Sequence, residues 1–187
     1  GCTSLTNVQL PSKTETISYR MFEGCSSLKS ITLPDTVTTI ADNAFYGCTS
    51  LTGLELPEGL TTLGYRAFGA TGIQSITLPE GITSLPNMLF SDCKALTQLD
   101  LPSNITAISI GAFYNCSALK TIQLPDSVTI IGNDAFEGCS ALTDIKLSEN
   151  ITEIGSYAFM DTGLEQLDLS ATKITSLSPY LLQSCKN

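Results

Sequence analysis

Leu28-Lys29-Ser30-Ile31-Thr32-Leu33-Pro34-Asp35-Thr36-Val37-Thr38-Thr39-Ile40-Ala41-Asp42-Asn43-Ala44-Phe45-Tyr46-Gly47-Cys48 is the stretch that decides the fold. Its Ile31-Thr32-Leu33 end alternates apolar and polar, the period of a strand with one buried face. Pro34 cannot donate to a ladder and stops the strand. Pro34-Asp35-Thr36 becomes Pro57-Glu58-Gly59 and Pro79-Glu80-Gly81 further along, and proline followed two residues later by glycine is type I turn chemistry. Val37 and Ile40 return apolar anchors to the interior from the opposite side. Ala41-Asp42-Asn43-Ala44-Phe45 reads as a short turn or helical fragment that presents Ala44 and Phe45 inward. Gly47-Cys48 closes the coil and feeds Leu51 of the next strand.

Working outward, the same stretch returns along the whole chain of 187 residues. All seven Phe fall at one phase, at 22, 45, 68, 90, 113, 136 and 159, and Leu182 stands one further step of 23 on. Cysteine keeps the same beat at 2, 25, 48, 93, 116, 139 and 185, with Thr71 and Thr162 in the two gaps. Leu-Pro recurs at 10–11, 33–34, 56–57, 78–79, 101–102 and 124–125, then drifts to Leu147-Ser148 and Leu169-Ser170. Eight copies of a unit of 22 or 23 residues account for nearly every position. A unit this short cannot bury its own apolar face. Stacked copies can, because each covers its neighbour and residues of one phase form continuous internal columns.

The pattern Leu-x-x-Ile-x-Leu at 28–33, repeated at 5–10, 51–56, 73–78, 96–101, 119–124, 142–147 and 164–169, resembles a leucine-rich repeat. Its extension Pro-x-x-Val-x-x-Ile-x-x-x-Ala-Phe-x-x-Cys, at 34–48 and 125–139, is similar to the bacterial BspA-like class. The resemblance implies an α/β repeat: a right-handed solenoid with a parallel β-sheet on its concave side and short turns, strands or helical fragments on its convex side. It implies one solenoid over residues 1–187, of about eight repeats, expected to be a piece of a longer protein. It also implies a secreted or surface-exposed bacterial protein, with adhesion or host-protein binding as its usual role. The asparagine column of many leucine-rich repeats survives only as Asn104 and Asn150; Thr36, Ser127, Thr172, Gly59 and Gly81 hold it elsewhere.

Composition excludes several functions. With 9 basic against 18 acidic side chains, the net charge of −9 leaves no basic footprint for phosphates or for an anionic bilayer surface. No apolar run is long enough to span a membrane, and the first residues carry no charged and apolar regions of a signal peptide. The chain has no histidine, which removes the commonest general base and metal ligand at neutral pH. Hydrophobic residues make up 42 %, too many for a disordered chain, and charged residues only 14 %, so the 24 Thr and 21 Ser must cover much of the exterior.

Side chains able to do chemistry are few. The cysteines form no Cys-x-x-Cys pair, and Thr substitutes at two of their positions, so the column reads as free thiols wanted for small buried volume. Cys2 and Cys185, near the chain ends, are the reactive ones. Asp35, Glu58, Glu80, Asp126 and Glu149 supply one carboxylate per level and no Asp-x-Asp-x-Asp-Gly loop, which fits a solvated turn better than a calcium site. The six Tyr sit beside the Phe column on the convex turn, half exposed. Three glycosylation sequons (Asn104, Asn115 and Asn150) read as accidental in a bacterial protein, and no phosphate loop or nucleophile elbow occurs.

The concave face is what remains for function. One outward column runs Asn7, Ser30, Gly53, Ser75, Gln98, Thr121, Asp144, Gln166; the next runs Gln9, Thr32, Glu55, Thr77, Asp100, Gln123, Lys146, Asp168. Of these, Ser30, Thr32, Glu55, Ser75, Thr77, Gln98, Asp100, Thr121, Gln123, Asp144, Lys146, Gln166 and Asp168 are the candidate binding residues. A rigid row of polar groups suits a broad protein or glycan contact; without Trp or Tyr anchors it binds weakly or through many repeats together. The expected function is therefore a non-enzymatic binding or adhesion module needing no metal or cofactor, with a host or matrix protein or a glycan as partner and the oligomeric state left open. A structural spacer that displays other domains is the alternative; the recognition part of an enzyme comes third.

Overall fold

The computed structural model describes residues 1–185. The chain winds as a solenoid whose coils meet in parallel register. Each coil begins at the first leucine or isoleucine of its motif, at 5, 28, 51, 73, 96, 119, 142 and 164. Ten strands of two or three residues form on two sides of the coil. On the side of the Leu-x-x-Ile-x-Leu motif, Asn7–Val8 pairs with Ser30–Ile31 and Ser75–Thr77 with Gln98–Asp100, while Gln123 and Lys146 make a single bridge. On the second side, Thr16–Ile17, Thr39–Ile40 and Thr62–Leu63 pair in series, as do Ala107–Ile108, Ile130–Ile131 and Glu153–Ile154. Both ladders are parallel, and each partner lies 23 residues from the last.

A third line of inter-coil bonds runs along the Phe turns. Phe22 N–H donates to Ala44 O at 2.8 Å, Phe45 to Ala67 O at 2.9 Å, Phe113 to Ala135 O at 2.8 Å and Phe136 to Ala158 O at 2.9 Å. These bonds explain why the expected helical fragments are absent among the described residues. A helix would need the Phe45 N–H for its own coil, but the next coil takes it. The segment is instead a chain of tight turns, with Ala44 N–H on Ala41 O at 3.2 Å and Cys48 N–H on Phe45 O at 3.1 Å. Two residues per coil, four apart, adopt left-handed φ: Arg20 and Gly24, Asn43 and Gly47, Arg66 and Ala70, and so on to Tyr180 and Ser184. Each non-glycine there gives up about 1–2 kcal/mol of local conformational preference, which the bonds to the next coil offset. The solenoid is thus built of strands and turns.

The core is a set of columns. Seven phenylalanine rings stack along the axis with centroids 5.3–6.0 Å apart and planes within 20° of parallel. Beside them the thiols of Cys48, Cys93, Cys116 and Cys139 each donate to the Phe carbonyl of the preceding coil at 3.0–3.1 Å. Thr71 and Thr162 take this place and bond the Phe carbonyl of their own coil, at 2.9 and 2.8 Å. The column therefore selects a small side chain that can donate to a buried carbonyl, and all seven cysteines are free. Leu182 keeps the Phe register but is 45 % exposed, because no described coil follows to cover it. The asparagine column also works between coils: Asn104 and Asn150 donate their amides to Glu80 O and Asp126 O, and Ser127 does the same through its hydroxyl to Ser103 O.

Candidate functional site

All thirteen candidate residues are exposed. They are exposed because Ile31, Leu54, Ile76, Leu99, Ile122 and Ile145 turn inward between them, leaving alternate side chains outside. Register makes the columns real: Ser30 lies beside Asn7, Ser75 beside Gln98, Thr77 beside Asp100 and Gln123 beside Lys146. Thr77 Oγ1 donates to Asp100 Oδ2 at 3.3 Å, so one carboxylate of the face is steadied from the neighbouring coil.

The ladder on this face is not continuous. Within 52–56 the single backbone bond among the described residues is Gln74 N–H to Thr52 O at 3.0 Å. Gly53 stands in this gap with open space on every side within 4 Å, and glycine weakens a strand interior; the ladder also lapses between Gln98–Asp100 and Gln123, where no glycine stands. Around this break the face is hollowed into an open trough of about 880 Å³ that spans coils two to five. Ser30, Thr32, Glu55, Ser75, Thr77, Gln98 and Asp100 line it. Thr121, Gln123, Asp144, Lys146, Gln166 and Asp168 are exposed but lie outside the trough. Ser170 holds the Asp168 carboxyl below its usual value, first through its hydroxyl and then through its N–H, which lies 2.8 Å from Oδ1.

Asp35 and Glu58 also line the trough, although the sequence placed them only in a solvated turn column. Nothing local signals this, since Glu80, next in the same turn column, does not line it. With Glu55 and Asp100 they give the trough four carboxylates, and no lysine or arginine among the described residues lines it.

The tyrosines lie elsewhere, on the turn edge. Tyr19, Tyr65 and Tyr180 are exposed, Tyr157 stacks on Tyr180 at 4.9 Å, and the Arg66 guanidinium sits 4.4 Å over the Tyr46 ring. Arg66 also pairs with Asp92 at 3.2 Å and donates to Ser91 Oγ at 3.1 Å, and Asn115 donates to the other Asp92 oxygen at 3.2 Å. This stitch runs through consecutive coils and holds them together. Further along the same edge, partial burial raises the Glu137 carboxyl to about 7, helped by Asp134 and Asp161. Burial likewise lifts the thiols of Cys48 and Cys139 to about 12 and Cys93 to about 11, so they stay protonated and unreactive at neutral pH.

A family model described as BspA type leucine-rich repeat region matches in six copies over residues 1–97 and 63–187. A leucine-rich repeat protein from Bacteroides ovatus superposes with a TM-score of 0.95 at 31 % identity, over 99 % of this chain and 48 % of its own. One from Eubacterium ventriosum gives 0.79 at 28 % identity, over 89 % of this chain and 45 % of its own. The leucine-rich repeat protein of T. pallidum gives 0.71 at 32 % identity, over 77 % of this chain and 68 % of its own. The chain thus spans about half the length of the first two. Comparison with curated proteins gave no significant match.

Proposed function

Since the chain belongs to the family of BspA-type leucine-rich repeats, whose repeat domains are in general protein-interaction modules, we propose that it is a non-enzymatic binding module of a bacterial surface or secreted protein. Its polar sheet face makes the contact, and the module is one stretch of a longer solenoid. The observation that carries this reading is the division of labour in the coil. Nearly every apolar side chain packs in the shared core and the thiols of Cys48, Cys93, Cys116 and Cys139 bond to the preceding coil, while thirteen polar residues stand outside on one face. A binding partner from the host or its matrix meets that face across several coils, each contributing little.

The test is retention on a panel of immobilised extracellular-matrix proteins. A variant carrying Glu55→Ala, Asp100→Ala, Gln123→Ala and Lys146→Ala changes only exposed side chains and keeps its thermal transition. Its retention is expected to fall at least tenfold on any matrix protein that holds the unaltered chain. Unchanged retention would assign the contact to another surface. Retention by no matrix protein at all would favour a spacer that displays other domains, a role that the uniform stacking of the coils also suits.

A further inference from the structure

We infer that the trough over coils two to five takes an extended polypeptide segment bearing lysine or arginine side chains. This names the partner chemistry of the face proposed above and rests on that proposal. Charge is the main argument. Asp35, Glu55, Glu58 and Asp100 line the trough with no cationic side chain among its described lining residues, in a chain of net charge −9. Such a surface draws cations from a distance and repels acidic partners. Glu55 and Asp100 share one column two coils apart, about 10 Å by strand spacing, and Asp35 and Glu58 sit on adjacent coils along the rim. Two rows of carboxylates at different heights suit several separate cations on one flexible chain.

Shape and backbone agree. The trough is open and polar, and it crosses three coil-to-coil steps, about 14 Å, the reach of roughly four extended residues. The amides of Gly53, Leu54 and Glu55 make no backbone bond among the described residues. A peptide offers main-chain carbonyls as well as cationic side chains. A glycan would want an aromatic platform, and the tyrosines lie on the turn edge instead. No group of three acidic or thiol side chains among the described residues is held close enough to grip a metal ion.

The experiment measures fluorescence anisotropy of a labelled twelve-residue peptide of alternating lysine and serine against the full chain at 50 mM and 150 mM salt. A glutamate–serine peptide of equal length is the counter-probe. The unaltered chain is expected to bind the first and not the second, more weakly at the higher salt. Glu55→Gln with Asp100→Asn removes two of the four carboxylates, and affinity is expected to fall about tenfold, two exposed ion pairs each giving a few-fold. Asp126→Asn with Glu165→Gln changes net charge equally outside the trough and is expected to cost less than about twofold. Equal losses from the two pairs would reduce the binding to net charge and overturn the inference, as would no binding of the lysine peptide at 50 mM salt. If the inference fails while the four-alanine variant still loses matrix retention, the face keeps its role and only the partner chemistry is wrong; intact retention there overturns the role itself.

Discussion

Phe113→Ala opens a void in the middle of the aromatic column, and its cost measures how far the coils depend on one another. Phe113 is fully buried and lies between Phe90, 5.7 Å away, and Phe136, 5.3 Å away. Removing a buried phenylalanine costs about 3–5 kcal/mol through lost transfer and the cavity left behind. Each stacked pair adds about 0.5–1.5 kcal/mol beyond its area, so a residue with two partners belongs near the upper end, about 5 kcal/mol. Phe22 stacks on Phe45 alone, at 5.3 Å, and its removal is expected to cost about 1 kcal/mol less. Urea denaturation followed by far-ultraviolet circular dichroism gives both numbers from the midpoints. A chain with only 5–15 kcal/mol in hand is close to unfolding after the central change, so Phe113→Leu, expected to lose about 1–2 kcal/mol, keeps the comparison measurable. A Phe113→Ala cost below about 2 kcal/mol, or one no greater than that of Phe22→Ala, would refute the claim that the column bears the fold.

Four further outcomes follow from the structure. Gly64→Ala drives a Cβ into the Asp42 backbone nitrogen, where Asp42 Oδ1 already accepts from Tyr65 N–H at 2.7 Å; a loss of about 2–3 kcal/mol is expected in the same urea assay. Native protein at pH 8 should yield only Cys2 and Cys185 to a thiol reagent, and unfolded protein all seven cysteines. Since folding raises the buried thiols from 9.0 to about 11–12, the unfolded chain loses protons first; stability is therefore full below pH 9 and falls as pH climbs toward 11–12. Glu137 is likewise raised in the fold, from 4.5 to about 7, so its contribution is present below pH 4.5 and lost on the way up to pH 7; Glu137→Gln should flatten the thermal midpoint across that range.

The interior was readable in advance because burial repeats with the chain. Phe45, Ala44, Cys48, Ile31 and Leu51 are each buried in one copy for the same reason as in the next, so periodicity alone places them. The second ladder was harder to see. Thr39–Ile40 and its partners pair more continuously than the motif strands, yet two residues offer too little alternation to register as a strand. The left-handed positions were legible only where Gly24, Asn43, Gly47, Gly111, Asn115 and Gly138 hold them. Arg20, Arg66, Met88 and Tyr157 occupy them where glycine or asparagine would have announced a turn, because inter-coil bonds impose the conformation rather than the residue. The same bonds replaced the expected helical fragments with turns. On the candidate face, exposure and register followed from the strand pattern, while the trough also takes in Asp35 and Glu58, turn residues that the strand pattern does not reach. The Arg66–Asp92 link joins residues 26 apart and leaves no local trace in the sequence.

Hydrogen exchange of the chain with and without a matrix protein that retains it addresses the central point, that packing occupies the inside and binding is left to the polar sheet face. The amides of Phe45, Phe68, Phe90 and Phe113, donated between coils, should exchange slowly in both states, and those of Gly53, Leu54 and Glu55, which make no backbone bond among the described residues, quickly in the free chain. Binding is expected to slow exchange over 30–33, 53–55, 75–77 and 98–100 and leave the turn edge unchanged. Protection gained instead around Tyr46, Arg66 and Asp92, with the sheet face still exchanging as in the free chain, would contradict it.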